Sequence, residues 1–159
     1  MFRSDDGGTE WKHFPECFRE DRHEGEIIYL GPRIIDHPTE GLLAFGNTVG
    51  YGSSDRFPNP VDGPIDHTHH TLTVLVSKDG GESWSIVSHE LPEWAAQHEP
   101  AAVLHEGILY VIGRDQISGT DHLQMRLSTI GGKVETIRTN MRNKKAIDTV
   151  DIDYNPVTR

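Results

Sequence analysis

Apolar residues in this chain come in short blocks separated by clusters of Gly, Pro, Asn and Asp. Blocks of this length between turn residues are strand signals. They predict strands over 26–29, 33–35, 42–45, 71–77, 84–88, 101–104, 108–113, 123–128 and 133–138, with a further strand starting in 146–152. Helical periodicity is weak, and 92–97 offers one or two turns at most. The spacing is that of an antiparallel meander. Residues 50–66 break the rhythm: Gly, Ser, Pro, Asn and Asp dominate, so the segment reads as a long loop inserted on one face.

A repeated octad sharpens the picture. Ser4-Asp5-Asp6-Gly7-Gly8-Thr9-Glu10-Trp11 and Ser77-Lys78-Asp79-Gly80-Gly81-Glu82-Ser83-Trp84 share Ser, Asp, Gly-Gly and Trp in one register, 73 positions apart. A degenerate third copy over 128–135 keeps Ser128 and Gly131-Gly132 but has Ile130 for Asp and Glu135 for Trp. It follows the second by 51 positions; without the 50–66 insertion, the first spacing falls to 56. The physical reading is a hairpin. Asp79 accepts backbone N–H groups, Gly80-Gly81 supply positive φ, and Trp84 opens the return strand with its ring over the turn. About fifty residues with four short strands is the spacing of a β-propeller blade.

Composition then narrows the function classes. The 159 residues suit about one domain. A net charge of −10 with no Lys/Arg stripe argues against general nucleic-acid binding. No apolar run is long enough for a spanning helix, so no membrane insertion is expected, and no secretory leader is visible. A single cysteine, Cys17, excludes an internal disulfide framework.

The octads have the form of Asp boxes, and at this spacing the chain resembles the sialidase (neuraminidase) superfamily and other BNR-repeat propellers. The resemblance implies an all-β fold, a sialidase-type β-propeller, six-bladed in the family. Each box would sit between the third and fourth strands of a blade. On that mapping the chain covers about two full blades, roughly 33–88 and 101–138, and two partial ones, as part of a longer propeller.

The segment from His98 to Arg114 carries the candidate chemistry. Glu99 precedes one predicted strand, Arg114 ends the next, and the hairpin turns at Glu106-Gly107. Antiparallel strands return the two residues to the same end. A sialic acid unit has a carboxylate at its anomeric carbon, which an arginine fork grips through two parallel N–H bonds. The resemblance assigns that role to Arg114 and a place beside the anomeric centre to Glu99. Its activity would be hydrolysis of sialic acid glycosides with no cofactor. Within the superfamily the favoured resemblance is to phage endosialidases. That implies polysialic acid as substrate, an extracellular or virion location and a homotrimeric tail spike. Exo-acting enzymes match the Glu–Arg spacing as well. The nucleophilic Tyr of many sialidases is expected in a later blade, and none of the four Tyr here is assigned to it.

Plainer alternatives stand beside these. Arg114 suits a surface ion pair with Asp115, and Glu99 a solvated loop before Pro100. His67 and His69, following the loop, are candidate substrate contacts. With His70, Asp62 and Asp66 they also allow a metal site, which is not favoured, because converging ligands are not evident. Arg138, Arg142, Lys144 and Lys145 read as a solvated loop before a glycan-attracting patch. The rival from another class is a non-catalytic Asp-box propeller that binds a glycan or a protein.

Overall fold

The computed structural model describes residues 2–14, 26–51, 65–66, 71–95, 97–115 and 121–142. Among them the chain is all-β, with no helix and hence none able to cross a membrane. The strands are β1 (Phe2–Arg3), β2 (Lys12–His13), β3 (Glu26–His37), β4 (Gly41–Tyr51), β5 (Ile65–Asp66), β6 (Thr71–Ser77), β7 (Ser85–Glu90), β8 (Gln97–His105), β9 (Ile108–Asp115), β10 (Asp121–Leu127) and β11 (Glu135–Arg142). A first antiparallel sheet has the order β3-β4-β6-β7 and a second the order β8-β9-β10-β11. β1 and β2 pair with each other.

The structure departs from the predicted elements in several places. The segments 26–29 and 33–35 are one strand, because a register shift between Leu30 and Ile34 absorbs the intervening residues. Pro32 lies in that shift, where a missing N–H is tolerated. The 50–66 segment is not a loop at its ends: Gly50 pairs with Asp66 and Tyr51 with Ile65, which extends the sheet along β4. Residues 52–64, the predicted 146–152 strand, and Cys17, His67 and His69 lie outside the described residues. Of 92–97, the described residues 92–95 form a single turn, closed by Ala95 N–H donating to the Pro92 carbonyl at 2.8 Å, and β8 begins at Gln97.

The two octads fold into the same turn. Ser4 Oγ donates to Asp6 and Ser77 Oγ to Asp79, each at 2.8 Å. Each serine oxygen accepts the N–H of the second glycine, Gly8 at 2.7 Å and Gly81 at 2.8 Å. Each aspartate accepts the N–H groups three and four positions on, Thr9 and Glu10 in the first copy, Glu82 and Ser83 in the second. The indole N–H returns to the second glycine's carbonyl, at 3.0 Å for Trp11 and 3.1 Å for Trp84. Positive φ at Gly80 (72°) and Gly81 (95°) makes the path possible. The surroundings differ: Trp84 is 4% exposed against Ala44 and Leu75, whereas Trp11 is 62% exposed. The third copy is a plain turn, with Gly132 N–H donating to Thr129 O at 3.2 Å. Ile130, in the aspartate's place, packs against the apolar core instead.

The core lies between the two sheets. Leu43, Phe45, Leu72, Val74 and Val76 from the first meet Ala102, Leu109, Val111, Leu123, Met125 and Leu127 from the second. The opposite face of the first sheet, with Ala44, Leu75 and Trp84, packs Phe14. β6 is therefore covered on both faces and reads as a continuous run, Leu72 to Val76. β10 alternates instead, with Leu123, Met125 and Leu127 inward and Gln124 and Arg126 outward.

Three contacts fasten sheet to sheet. The Gly31 backbone in β3 lies against the Pro100 carbonyl in β8, so close that a Cβ at Gly31 would collide with it. Gln97 Nε2 donates to Gly46 O at 2.8 Å. His89, buried in β7, is 3.1 Å through Nδ1 from Gly132 O; burial pushes its pKa down.

Gly31→Ala should destabilise the chain by about 1–3 kcal/mol, because the neighbouring atom is rigid backbone. Urea unfolding measures this, and an unchanged midpoint would contradict the close approach. Asp79→Asn addresses the turn. Hydrogen bonds from the Ser83 hydroxyl and N–H and from Ser77 hold the Asp79 carboxyl well below the usual range. Its stabilisation is complete above the unfolded value of about 3.9 and is lost as the pH falls through the folded one. Thermal melts of Asp79→Asn should therefore show a lower Tm at neutral pH and a smaller loss on acidification than wild type.

Candidate functional site

The site forms at the end of the second sheet where β8 starts and β9 finishes. The connecting turn lies at the far end, with φ of 50° at Glu106 and 76° at Gly107. Two consecutive positive φ values define a type I′ hairpin, whose twist matches the strands it joins. The register then runs from His105 opposite Ile108 to His98 opposite Arg114.

One irregularity interrupts that ladder. His98 pairs with Arg114 and Ala101 with Ile112, so Glu99 and Pro100 together stand opposite Gly113. This is a β-bulge. Pro100 cannot donate to a ladder and is confined to such places. Glu99 takes φ of 51°, in the left-handed region that costs a non-glycine residue about 1 kcal/mol or more. Pro100 is held from behind by Gly31, and Gln97 is tied to the first sheet, so both flanks of Glu99 are fixed.

Across the bulge, Arg114 Nη2 lies 3.6 Å from Glu99 Oε2, with the two side chains 19% and 32% exposed. The structure thus brings together the two residues that the sequence singled out. Of the plainer alternatives, the loop is replaced, because Glu99 lies within a strand, whereas Arg114 does stand in an ion pair near a strand end, with Glu99 as a partner. Successive strand residues point to opposite faces. Asp115 is directed into the core side, 0% exposed, and pairs with Arg138 Nη2 at 2.9 Å. Arg138 is accordingly a strand residue of β11 anchored on a buried carboxylate, and not a solvated loop residue. The same Nη2 donates to Trp94 O at 2.8 Å, and the guanidinium lies over the Trp94 ring, 5.3 Å from its centroid.

Gln97, Asp115, Arg138 and Trp94 are not recognisable as a group in the sequence. Strand alternation across Arg114-Asp115 carries the signal, because it sends the carboxylate inward where only a cation from another strand can meet it. Among the described residues, no three His, Cys, Asp or Glu side chains form a group able to hold a metal ion. Comparison of the chain with protein-family models, with curated proteins and with solved structures found no match.

The bulge makes a direct prediction. Replacing Glu99 by Gly relieves the left-handed strain, whereas Ala keeps it; both lose an ion pair worth about 0–1 kcal/mol. Glu99→Gly should be more stable than Glu99→Ala by about 1 kcal/mol. Chemical denaturation of the two variants measures the difference, and equal midpoints would contradict the assigned φ.

Proposed function

We propose that this chain forms part of a sialidase-type β-propeller that hydrolyses sialic acid glycosides, with polysialic acid the favoured substrate. Several fold features support the reading. The second sheet is a four-stranded meander, and the first follows a four-strand path of the same kind, with the short β5 added beside β4. The first strands of the two, β3 and β8, approach each other. The second full box and the degenerate copy each join the third strand of a sheet to the fourth, β6 to β7 and β10 to β11. Blade geometry asks for these features.

The observation that carries the function is the Glu99–Arg114 pair, presented at one sheet end by a strained bulge. Strain of this kind persists only where surrounding structure enforces it, and it clusters at functional sites. Arg114 would take the sialic acid carboxylate in its planar fork. Glu99 would then stand beside the anomeric carbon. There its negative charge stabilises the oxocarbenium-like transition state or orients the attacking group.

The test is release of sialic acid or shorter oligomers from polysialic acid, run beside a binding assay. Arg114→Lys keeps the charge but loses the fork, and should cost about 2–4 kcal/mol of transition-state stabilisation. Glu99→Gln should retain glycan binding while turnover falls steeply. Wild-type rates in both variants would place the site elsewhere. Binding without cleavage by the wild type would favour the non-catalytic glycan-binding reading.

A further inference from the structure

The degenerate third copy differs from the two full boxes in how its turn is closed. In each full box, the carbonyl of the second glycine accepts the indole N–H of the box's own tryptophan, Gly8 from Trp11 at 3.0 Å and Gly81 from Trp84 at 3.1 Å. The corresponding glycine of the third copy is Gly132, and Glu135 stands where the tryptophan would be. The Gly132 carbonyl is met instead from the other sheet, by Nδ1 of His89 at 3.1 Å. An imidazole takes the place of an indole, and a bond local to one turn becomes a bond between two sheets.

The exchange makes the bond titratable, because an imidazole gains a proton in a pH range where an indole does not. A carbonyl only accepts, so Nδ1 carries the hydrogen and Nε2 keeps its lone pair. Nε2 is buried without a hydrogen-bond partner among the described residues, and the whole residue is 5% exposed. Leu91, which follows in the chain, and Ile130 and Val134 of the third copy belong to the apolar core. The partner strand β6 has no charged residue. The charged residues of the other surrounding elements are Glu90 in β7, Glu93 in the connection to β8, Arg126 in β10, and Lys133 and Glu135 about the third turn. Arg126 pairs with Glu135, and among the described residues none of these pairs with His89. A second proton therefore makes a buried cation whose new N–H has no acceptor. We infer that His89 and the Gly132 carbonyl form a pH-sensitive latch between the two sheets, closed while the imidazole is neutral and released when it is protonated. Burial pushes the His89 pKa down from 6.5. The stability that the latch contributes is complete above the unfolded value of about 6.5 and is lost as the pH falls from there to the folded one. The latch needs no ligand and is independent of the glycan chemistry proposed above.

Amide hydrogen exchange on the full chain tests the latch, at about pH 7.5 and about pH 5.5, with rates corrected for intrinsic exchange, in wild type and in His89→Asn. Asparagine keeps an N–H donor near the position of Nδ1 and takes up no proton. Histidine is the side chain that ordinarily changes charge in this interval, and the remaining histidines are common to both proteins. In wild type the amides of β7 and of 132–135 should open several-fold more often at the lower pH, the ceiling being about tenfold for each pH unit below 6.5. In His89→Asn the rise should be clearly smaller. No rise in wild type overturns the latch, and so does an equal rise in the two proteins. The His89 ring is also titrated directly by NMR in wild type, which needs no variant to fold. A midpoint below 6.5 is expected, and one at or above 6.5 overturns the inference by itself.

Discussion

At one point the two sheets meet backbone on backbone. Gly31 in β3 touches the carbonyl of Pro100 in β8, and no side chain fits between them. Both strands are irregular there, each with a proline inside a register shift. The contact brings the apolar faces of β4 and β6 within reach of β9 and β10, so the core depends on it. It also backs the bulge that carries Glu99. One constraint thus serves packing and site geometry together, and the strain at Glu99 is sustained by stability gained elsewhere in the interface.

Much of this is legible along the chain. Thr71 to Ser77 and Ile108 onward read as strands because their apolar blocks are bounded by turn residues, and the octads read as hairpins because Asp and Gly-Gly have definite hydrogen-bonding and φ requirements. The box turn forms with the same bonds whether its tryptophan is buried or exposed. It is therefore a local structure, which explains why local sequence announces it. The degenerate copy shows the converse: without the aspartate, Ile130 goes to the core and only a plain turn remains.

The site is legible in part, for a topological reason. A hairpin with a short turn fixes which residues return to one end, and this alone pairs Glu99 with Arg114. The bulge is not legible, because Pro100 in a strand announces an irregularity without specifying its register. The Asp115–Arg138 pair joins strands separated by β10, and no local pattern connects them. His67 and His69 fall outside the described residues, so their expected role as substrate contacts rests on sequence alone.

The burial pattern of β6 has a consequence for cooperativity. The first sheet is covered on one face by the second sheet and on the other by Phe14 of the N-terminal hairpin, so the described layers form a stack in which each touches its neighbours. Stability in such an array is close to a sum of layer terms and nearest-neighbour interface terms. The middle layer then opens only with the whole, while an outer one can open at lower free energy. Glu99 and Arg114 belong to an outer layer of the described stack. Amide hydrogens near the site would exchange by partial opening, and anything stacked against that layer's other face would slow them without touching either residue.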